Sequence, residues 1–342
     1  MQGVSTPRLI WIIFDEWDFG LTFDPRPSWL RTPELDRLNS VSFHASRAVS
    51  PGLETDISIP RLLTGQMATR RNQIRNVSTI FSTAKAEGFS AAVAAWYIDY
   101  CRVFSESLDA CWSTVSYAER NSMGREPAEI AVNQVKYLFE STYRSPFGQS
   151  FGTKRHILDY GFVTRAALHA VTNPAFDFLF IHFPIPHPPL FYDRTTGRFD
   201  LHDTPLVSVR RRDATRYLDA LELVDRTVAR VREALESANL WERTHLIISS
   251  DHPARNRQRI RPGSLDPRVP FIVRVAGASN EIAYDVPLNT VVSSALAMAL
   301  LRGEIQSTAQ VRTFIEGRAA ANAGSSAVVE TAAIKRETKG IR

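Results

Sequence analysis

Cysteine is nearly missing from this chain: 342 residues carry two, Cys101 and Cys111. Neither stands in a Cys-x-x-Cys or other metal-type spacing, which excludes a zinc ribbon. They could pair, but one pair is no disulfide framework. Long apolar runs are missing too. None approaches the ~18 residues that a membrane helix needs. The N-terminus holds one Arg and a short apolar run that ends in Asp15-Glu16, which makes no signal peptide. On these grounds the chain reads as cytoplasmic, although a domain cut from a longer membrane-tethered protein would read the same. There is no Gly-x-Gly-x-x-Gly and no Gly-x-x-x-x-Gly-Lys, so a nucleotide-binding loop is excluded. No internal repeat and no clean linker is visible.

What is present is ordinary for a globular protein, with 44% hydrophobic and 23% charged residues. The length suits one large domain or two small ones. The net charge is +5, and much of the excess lies in Arg clusters such as Arg210-Arg211-Arg212 and Arg255 to Arg261. A mild basic excess suits an anionic small substrate or a phospholipid surface. It suits nucleic acid as well, so the partner expected, an anionic ester with a lipid headgroup among the candidates and no nucleic acid, rests on the motifs and not on charge.

Short apolar runs alternate with helical patterns. Leu9 to Phe14, Ser90 to Trp96, Phe176 to Phe183, Thr244 to Ser249 and Phe271 to Val275 read as buried strands. Helices are expected over Thr32 to Leu38, Asn76 to Glu87, Glu126 to Glu140, Lys154 to Val171, Arg211 to Ser237 and Asn289 to Leu301. Such alternation predicts an α/β fold, a three-layer α/β/α sandwich around a mostly parallel sheet. One domain is expected over residues 1–315, with residues 316–342 as a flexible tail.

One stretch stands apart: Thr55-Asp56-Ile57-Ser58-Ile59-Pro60-Arg61-Leu62-Leu63-Thr64-Gly65. It reads as a polar loop with a hydroxyl, then a short helix with Pro60 in its first turn and Gly65 as its stop. Thr55 there is either an N-cap or an anion-binding hydroxyl. Three strands end in chemistry of their own: Asp15-Glu16, His187 and Asp251-His252. Strand carboxyl ends are where open α/β sheets gather ligands. Carboxylates with an imidazole suit a divalent cation, Zn²⁺, Mn²⁺, Mg²⁺ or Ca²⁺. A cation beside a hydroxyl turns it into a nucleophile.

In order, "FDE", "TDISIPRLLTG", "FPIPHPP", the long helix running into "IISSDH", and "DPRVPFIV" resemble the landmarks of the sulfatase-like branch of the alkaline phosphatase superfamily, over roughly residues 8–276. The resemblance implies that Asp15, Glu16, Asp251 and His252 hold a metal with Thr55, which is also the nucleophile. It implies that His187 contacts the substrate or protonates the leaving group. It implies an Arg on a substrate oxygen, Arg255 or Arg257. Glu16 departs from the usual Asp, and Pro253 follows Ser-Asp-His where the family has Gly. His182 reads as a hydrogen-bonded core residue near the sheet edge. Asp225 is either a recurrent acid of the family or a helix-surface charge.

Two departures narrow the chemistry. Thr55 cannot become the formylglycine of sulfatases, and Ile57 and Ile59 replace the Pro and Arg of that motif. Thr nucleophiles belong to the phosphodiesterase-like and phosphoethanolamine-transferase-like members. This implies a metal-dependent hydrolase or transferase on phosphate esters, diesters first, through a phospho-threonine intermediate. A sulfuric ester hydrolase without formylglycine and an inactive binding protein are the alternatives. No Asp has His four residues on and no His follows His252. The two-metal pattern is thus absent, and one divalent ion is expected.

Overall fold

A computed structural model describes residues 8–115, 132, 146–200, 209–263 and 266–322. Eight strands form the main sheet: β1 (Arg8–Asp15), β2 (Phe43–Ala45), β3 (Ala91–Ala95), β4 (Ala110–Ser113), β5 (Phe178–Pro186), β6 (Thr244–Ser250), β7 (Phe271–Arg274) and β8 (Ile282–Tyr284). Their order is β8-β2-β7-β6-β1-β5-β3-β4. Neighbours are parallel except around β7, which runs antiparallel to both β6 and β2. The α/β expectation holds. β2, β4 and β8 were not legible as strands, because each has only three or four residues and no alternation to read.

Helices cover both faces. They are α1 (Phe19–Phe23), α2 (Pro33–Asn39), α3 (Thr55–Thr64), α4 (Ile80–Ala86), α5 (Pro146–Val171), α6 (Val209–Ser237), α7 (Ser293–Leu301) and α8 (Thr308–Asn322), with shorter turns between. The sides of the sheet are set by the two-residue period of β1. Ile10, Ile12 and Phe14 pack against Val163 and Ala167 of α5 and Leu221, Val224 and Val228 of α6. Leu9, Trp11 and Ile13 pack against Ile59, Leu62 and Leu63 of α3, Phe81 of α4 and Leu296 and Leu300 of α7. Every residue from Leu9 to Phe14 is fully buried, and each large apolar side chain contributes about 1.5–3 kcal/mol by leaving water.

Local differences from the sequence reading have local causes. α3 begins earlier than expected: Glu54 is its N-cap and Thr55 its first helical residue, so Pro60 lies inside the helix and not in its first turn. Gly65 does end it, at φ 69°, a conformation that costs glycine little. β5 runs through Pro184 to Pro186, residues expected in a loop. The expected helix over 126–140 lies outside the described residues except for Val132. Asn289 to Leu301 is a turn of 3₁₀ helix followed by α7. α8 crosses residue 316, where the tail was expected to begin.

Candidate active site

β1 carries Asp15 and Glu16 out of the sheet. Asp15 shares the parity of Leu9, Trp11 and Ile13, so its side chain emerges on the α3 side. Glu16 turns the chain at φ 64°, an unusual value for a residue with a Cβ. The turn is held from several directions. Tyr217 of α6 donates its hydroxyl to the Glu16 carbonyl at 2.6 Å and accepts the Asp18 N–H at 3.1 Å. The Trp17 N–H donates to Ser250 Oγ at 2.8 Å, and the Glu16 N–H to Asp251 Oδ1 at 3.1 Å.

β6, next to β1, delivers Asp251 and His252. Ser250 Oγ reaches the carbonyls of Phe14 and His252, both at 2.8 Å, and so ties the two strand ends together. Asp251 Oδ1 also accepts the His252 N–H at 2.8 Å, while Oδ2 accepts the Thr55 hydroxyl at 2.7 Å. His252 Nδ1 lies 2.9 Å from the Pro253 carbonyl, to which only an N–H can donate. Its Nε2 lone pair then faces Thr55 Oγ1 at 3.3 Å, Asp251 Oδ2 at 3.5 Å and Asp15 Oδ1 at 3.7 Å. Asp15, Thr55, Asp251 and His252, spread over 237 positions of sequence, thus converge on one point, and all are buried.

The charge at that point is unbalanced. Both carboxylate oxygens of Asp15 are buried without a hydrogen-bond partner. Burial, then Asp251 and then Glu16 push the Asp15 carboxyl well above the usual range, with Arg255 and the nearby Thr55 hydroxyl opposing. A buried carboxylate without a partner is costly, and a cation would relieve it. The donor set fits one: carboxylate oxygens, a hydroxyl and an imidazole nitrogen presented as a lone pair. Among the described residues, the ligand atoms of Asp15, His182 and Asp251 lie within 4.8 Å of one another, as do those of Asp15, Glu16 and His187.

The second of those groups already has a positive charge. Arg255 Nε donates to Glu16 Oε1 at 2.5 Å, and its other arm donates to His187 Nε2 at 2.7 Å. Glu16, expected as a metal ligand, is therefore engaged by a guanidinium. Burial raises its carboxyl pKa and Arg255 opposes the rise. His187 packs edge-on against Trp96 at 5.3 Å. Burial, His156 and Arg255 hold its pKa well below the ordinary histidine value. A neutral ring whose Nε2 accepts from Arg255 has no proton there for a leaving group, so only the contact half of its expected role fits.

Arg257 is a correction. Its guanidinium is buried between Asp18 and Asp266, with the Asp266 contact at 3.3 Å. It joins β1's following loop to the segment before β7 rather than facing Thr55. Asp225 is not a helix-surface charge: it is buried and accepts the Leu35 N–H at 2.8 Å, capping the first turn of α2. His182 is a buried core residue with its ring hydrogen-bonded, as expected, with Nδ1 3.1 Å from the Tyr100 hydroxyl, but it is not near the sheet edge. It lies on an interior strand, shares the face of Phe178 and Phe180, and has no hydrogen-bond partner at Nε2. The parity of β5 was the available signal for that face.

The comparisons bear on the family and the fold. A family model described as Sulfatase matches residues 7–299. Among solved structures, Ps i-CgsB is similar at 15% identity and a TM-score of 0.60, over 87% of this chain and 72% of that one. The phosphonate monoester hydrolase SpPMH from Silicibacter pomeroyi is similar at 14% identity and a TM-score of 0.60, over 86% of this chain and 73% of that one. The lipoteichoic acid synthase LtaP from Listeria monocytogenes is similar at 13% identity and a TM-score of 0.57, over 87% and 72%. At such identities the likeness is one of fold. No curated protein matches the chain. The family match spans most of the sequence, from β1 to α7, and on that ground the chain belongs to the sulfatase family.

Proposed function

We propose that the chain is a metal-dependent hydrolase or transferase acting on phosphate esters, diesters first, with Thr55 as its nucleophile. The observation that carries this reading is the position of the Thr55 hydroxyl. It sits at the start of α3, 2.7 Å from Asp251 Oδ2 and beside the unpartnered carboxylate of Asp15. The positive end of the α3 dipole favours an anion there. A divalent cation held by Asp15, Asp251, His252 and Thr55 would lower the hydroxyl pKa and neutralise a non-bridging phosphoryl oxygen.

In the first half-reaction Thr55 Oγ1 forms a bond to phosphorus while its proton passes to Asp251 Oδ2. The ester P–O bond breaks, and the leaving alkoxide takes a proton from solvent. In the second, water or an acceptor alcohol attacks the phospho-threonine and gives up its proton to solvent, the Oγ1–P bond breaks, and Asp251 returns its proton to Thr55. Arg255, half-exposed beside the buried centre, is suited to bind a second phosphoryl oxygen, with His187 and Glu16 orienting its fork. Because that outer group already contains a guanidinium, one metal ion is proposed rather than two. Cys101 and Cys111 are joined as a disulfide, which supports an oxidising compartment in place of the expected cytoplasm. Among the described residues no helix is long and apolar enough to cross a membrane.

The test is turnover of a bis-aryl phosphate, an aryl phosphate and an aryl sulfate by wild type and Thr55→Ala, with metal content measured on both. The wild type should cleave the diester fastest, and the variant should keep its metal and lose at least about 10³-fold in rate. Undiminished diester turnover by Thr55→Ala would sink the nucleophile. Faster sulfate cleavage would favour the sulfuric ester reading. Metal without any turnover would leave a binding protein.

A further inference from the structure

His182 has no part in the mechanism above, yet few side chains in the molecule are so expensively placed. It lies on β5 opposite Ile13 of β1 and Ala95 of β3, fully buried. Phe178 and Phe180 precede it on the same face, so an apolar residue would continue that packing. The chain instead has an imidazole. Its Nδ1 lies 3.1 Å from the Tyr100 hydroxyl, and its Nε2 makes no hydrogen bond. The ring also has a backbone hydrogen-bonding contact with Trp96, and the charged groups of Asp251 and His252 lie near it.

The geometry points to His182 as a further ligand of the same cation, supplied through Nε2 and oriented by Tyr100. This rests on the metal reading proposed above. With Nδ1–H donating to Tyr100, the Nε2 lone pair is free, and it lies within 4.8 Å of ligand atoms of Asp15 and Asp251. Ligand atoms at about 2.1 Å from one ion are about 3.4 Å apart in a tetrahedral set and about 4.2 Å apart when opposite, so the group has to draw in around the ion by up to about 1.4 Å. Parity brings the three together: Asp15, His182 and Asp251 each continue the residues of their strands that face α3. A partner fixing the far nitrogen is what metal-bound histidines have. Two imidazoles with two carboxylates also select the metal, favouring Zn²⁺, Co²⁺ or Mn²⁺ over Mg²⁺ and Ca²⁺.

The experiment is a titration of metal-free protein with Co²⁺ and with Mg²⁺, read by visible absorption and by calorimetry. It compares wild type with His182→Gln, Tyr100→Phe and Asp251→Asn. His182→Gln should weaken Co²⁺ binding by at least about 100-fold, change the visible band and shrink the preference for Co²⁺ over Mg²⁺. Tyr100→Phe should weaken Co²⁺ about tenfold, since it removes only the orienting hydroxyl. Should His182→Gln fail to fold, Tyr100→Phe and the number of imidazole couplings on bound Mn²⁺ carry the decision. Wild-type affinity and spectrum in His182→Gln, with binding lost in Asp251→Asn, would overturn the role of His182 and leave the centre standing. Absence of metal binding in wild type would overturn both.

Discussion

Asp15 and Asp18 are three residues apart, both acidic and both fully buried, yet the fold treats them in opposite ways. Asp18 caps α1 through the Leu21 N–H at 2.9 Å and is met by the buried guanidinium of Arg257. Arg257 in turn reaches Asp266, and Asp266 pairs with Arg268. That network contains its own cations. Asp15 has none in contact, and its nearest charged neighbours include two further carboxylates, Asp251 and Glu16. Burial raises the carboxyl pKa of both, but only at Asp18 is an arginine hydrogen-bonded against it. An ion network that holds its own cations is a structural element, even with Asp18 Oδ2 left without a hydrogen bond. One without them, buried at the ends of the two central strands, is a place for something the chain does not encode.

The largest effect should come from removing the charge at each position. Asp15→Asn should lower metal affinity and turnover by at least about 10³-fold. In metal-free protein the same change should raise stability by on the order of 1–2 kcal/mol, since it deletes an uncompensated buried charge. Asp18→Asn should do the reverse, costing about 3 kcal/mol by leaving Arg257 short of a partner and leaving metal affinity near wild type. Metal titration and urea unfolding of the two metal-free variants decide it. Stability changes of the same sign would erase the contrast.

Much of this contrast was readable in the sequence, and some of it was not. The apolar runs before Asp15 and Asp251 marked buried parallel strands, and strand carboxyl ends are where side chains leave the sheet together. Thr55 stood out because a hydroxyl precedes a short apolar helix. What stayed hidden depends on long-range pairing. Arg255 and Arg257 are neighbours in one Arg-rich cluster, and nothing local says that one is half-exposed beside Glu16 while the other is buried against Asp18. His182 is hidden by its apolar neighbours, since a strand buried on both faces shows no alternation to reveal a polar position. The end of α8, from Glu316 to Asn322, is hidden because an Ala-rich stretch is equally the composition of a frayed segment.

Asp225 is a third solution to the same problem and gives the next effect in size. Its carboxylate meets neither a guanidinium nor a site for a metal, but the Leu35 N–H at the start of α2. Burial raises its pKa from 3.8 to about 7, with that N–H opposing and Glu34 adding to the rise. A raised folded-state pKa means that its stabilising contribution is full below about pH 4 and is lost as the pH climbs through about 7. Asp225→Asn keeps an acceptor for the N–H and removes the titration. Between pH 4.5 and 8 the wild type should therefore lose on the order of 2 kcal/mol more than the variant. Parallel urea midpoints across that range would show that the helix start, not protonation, neutralises this acid.

The smallest effect probes the rim of the Asp18 network. Arg268 holds Asp266 through two donors at 2.9 and 2.7 Å, reaches Asp24 at 2.9 Å and lies over the Phe19 ring at 4.8 Å. Its side chain is a quarter exposed, where that of Arg257 is 6% exposed. Arg268→Lys keeps the charge but loses the planar fork and most of the ring contact. At this exposure the loss should be about 0.5–1 kcal/mol, and it should shrink as salt rises. Arg257→Lys, on the same network but without water, should cost several times more and respond little to salt. The ratio of the two, read from unfolding at low and high ionic strength, measures how far burial rather than pairing makes this side of the β1 turn rigid. A ratio near one would mean that Asp18 is held no more firmly than a surface acid, and the two sides of the turn would then differ in charge alone.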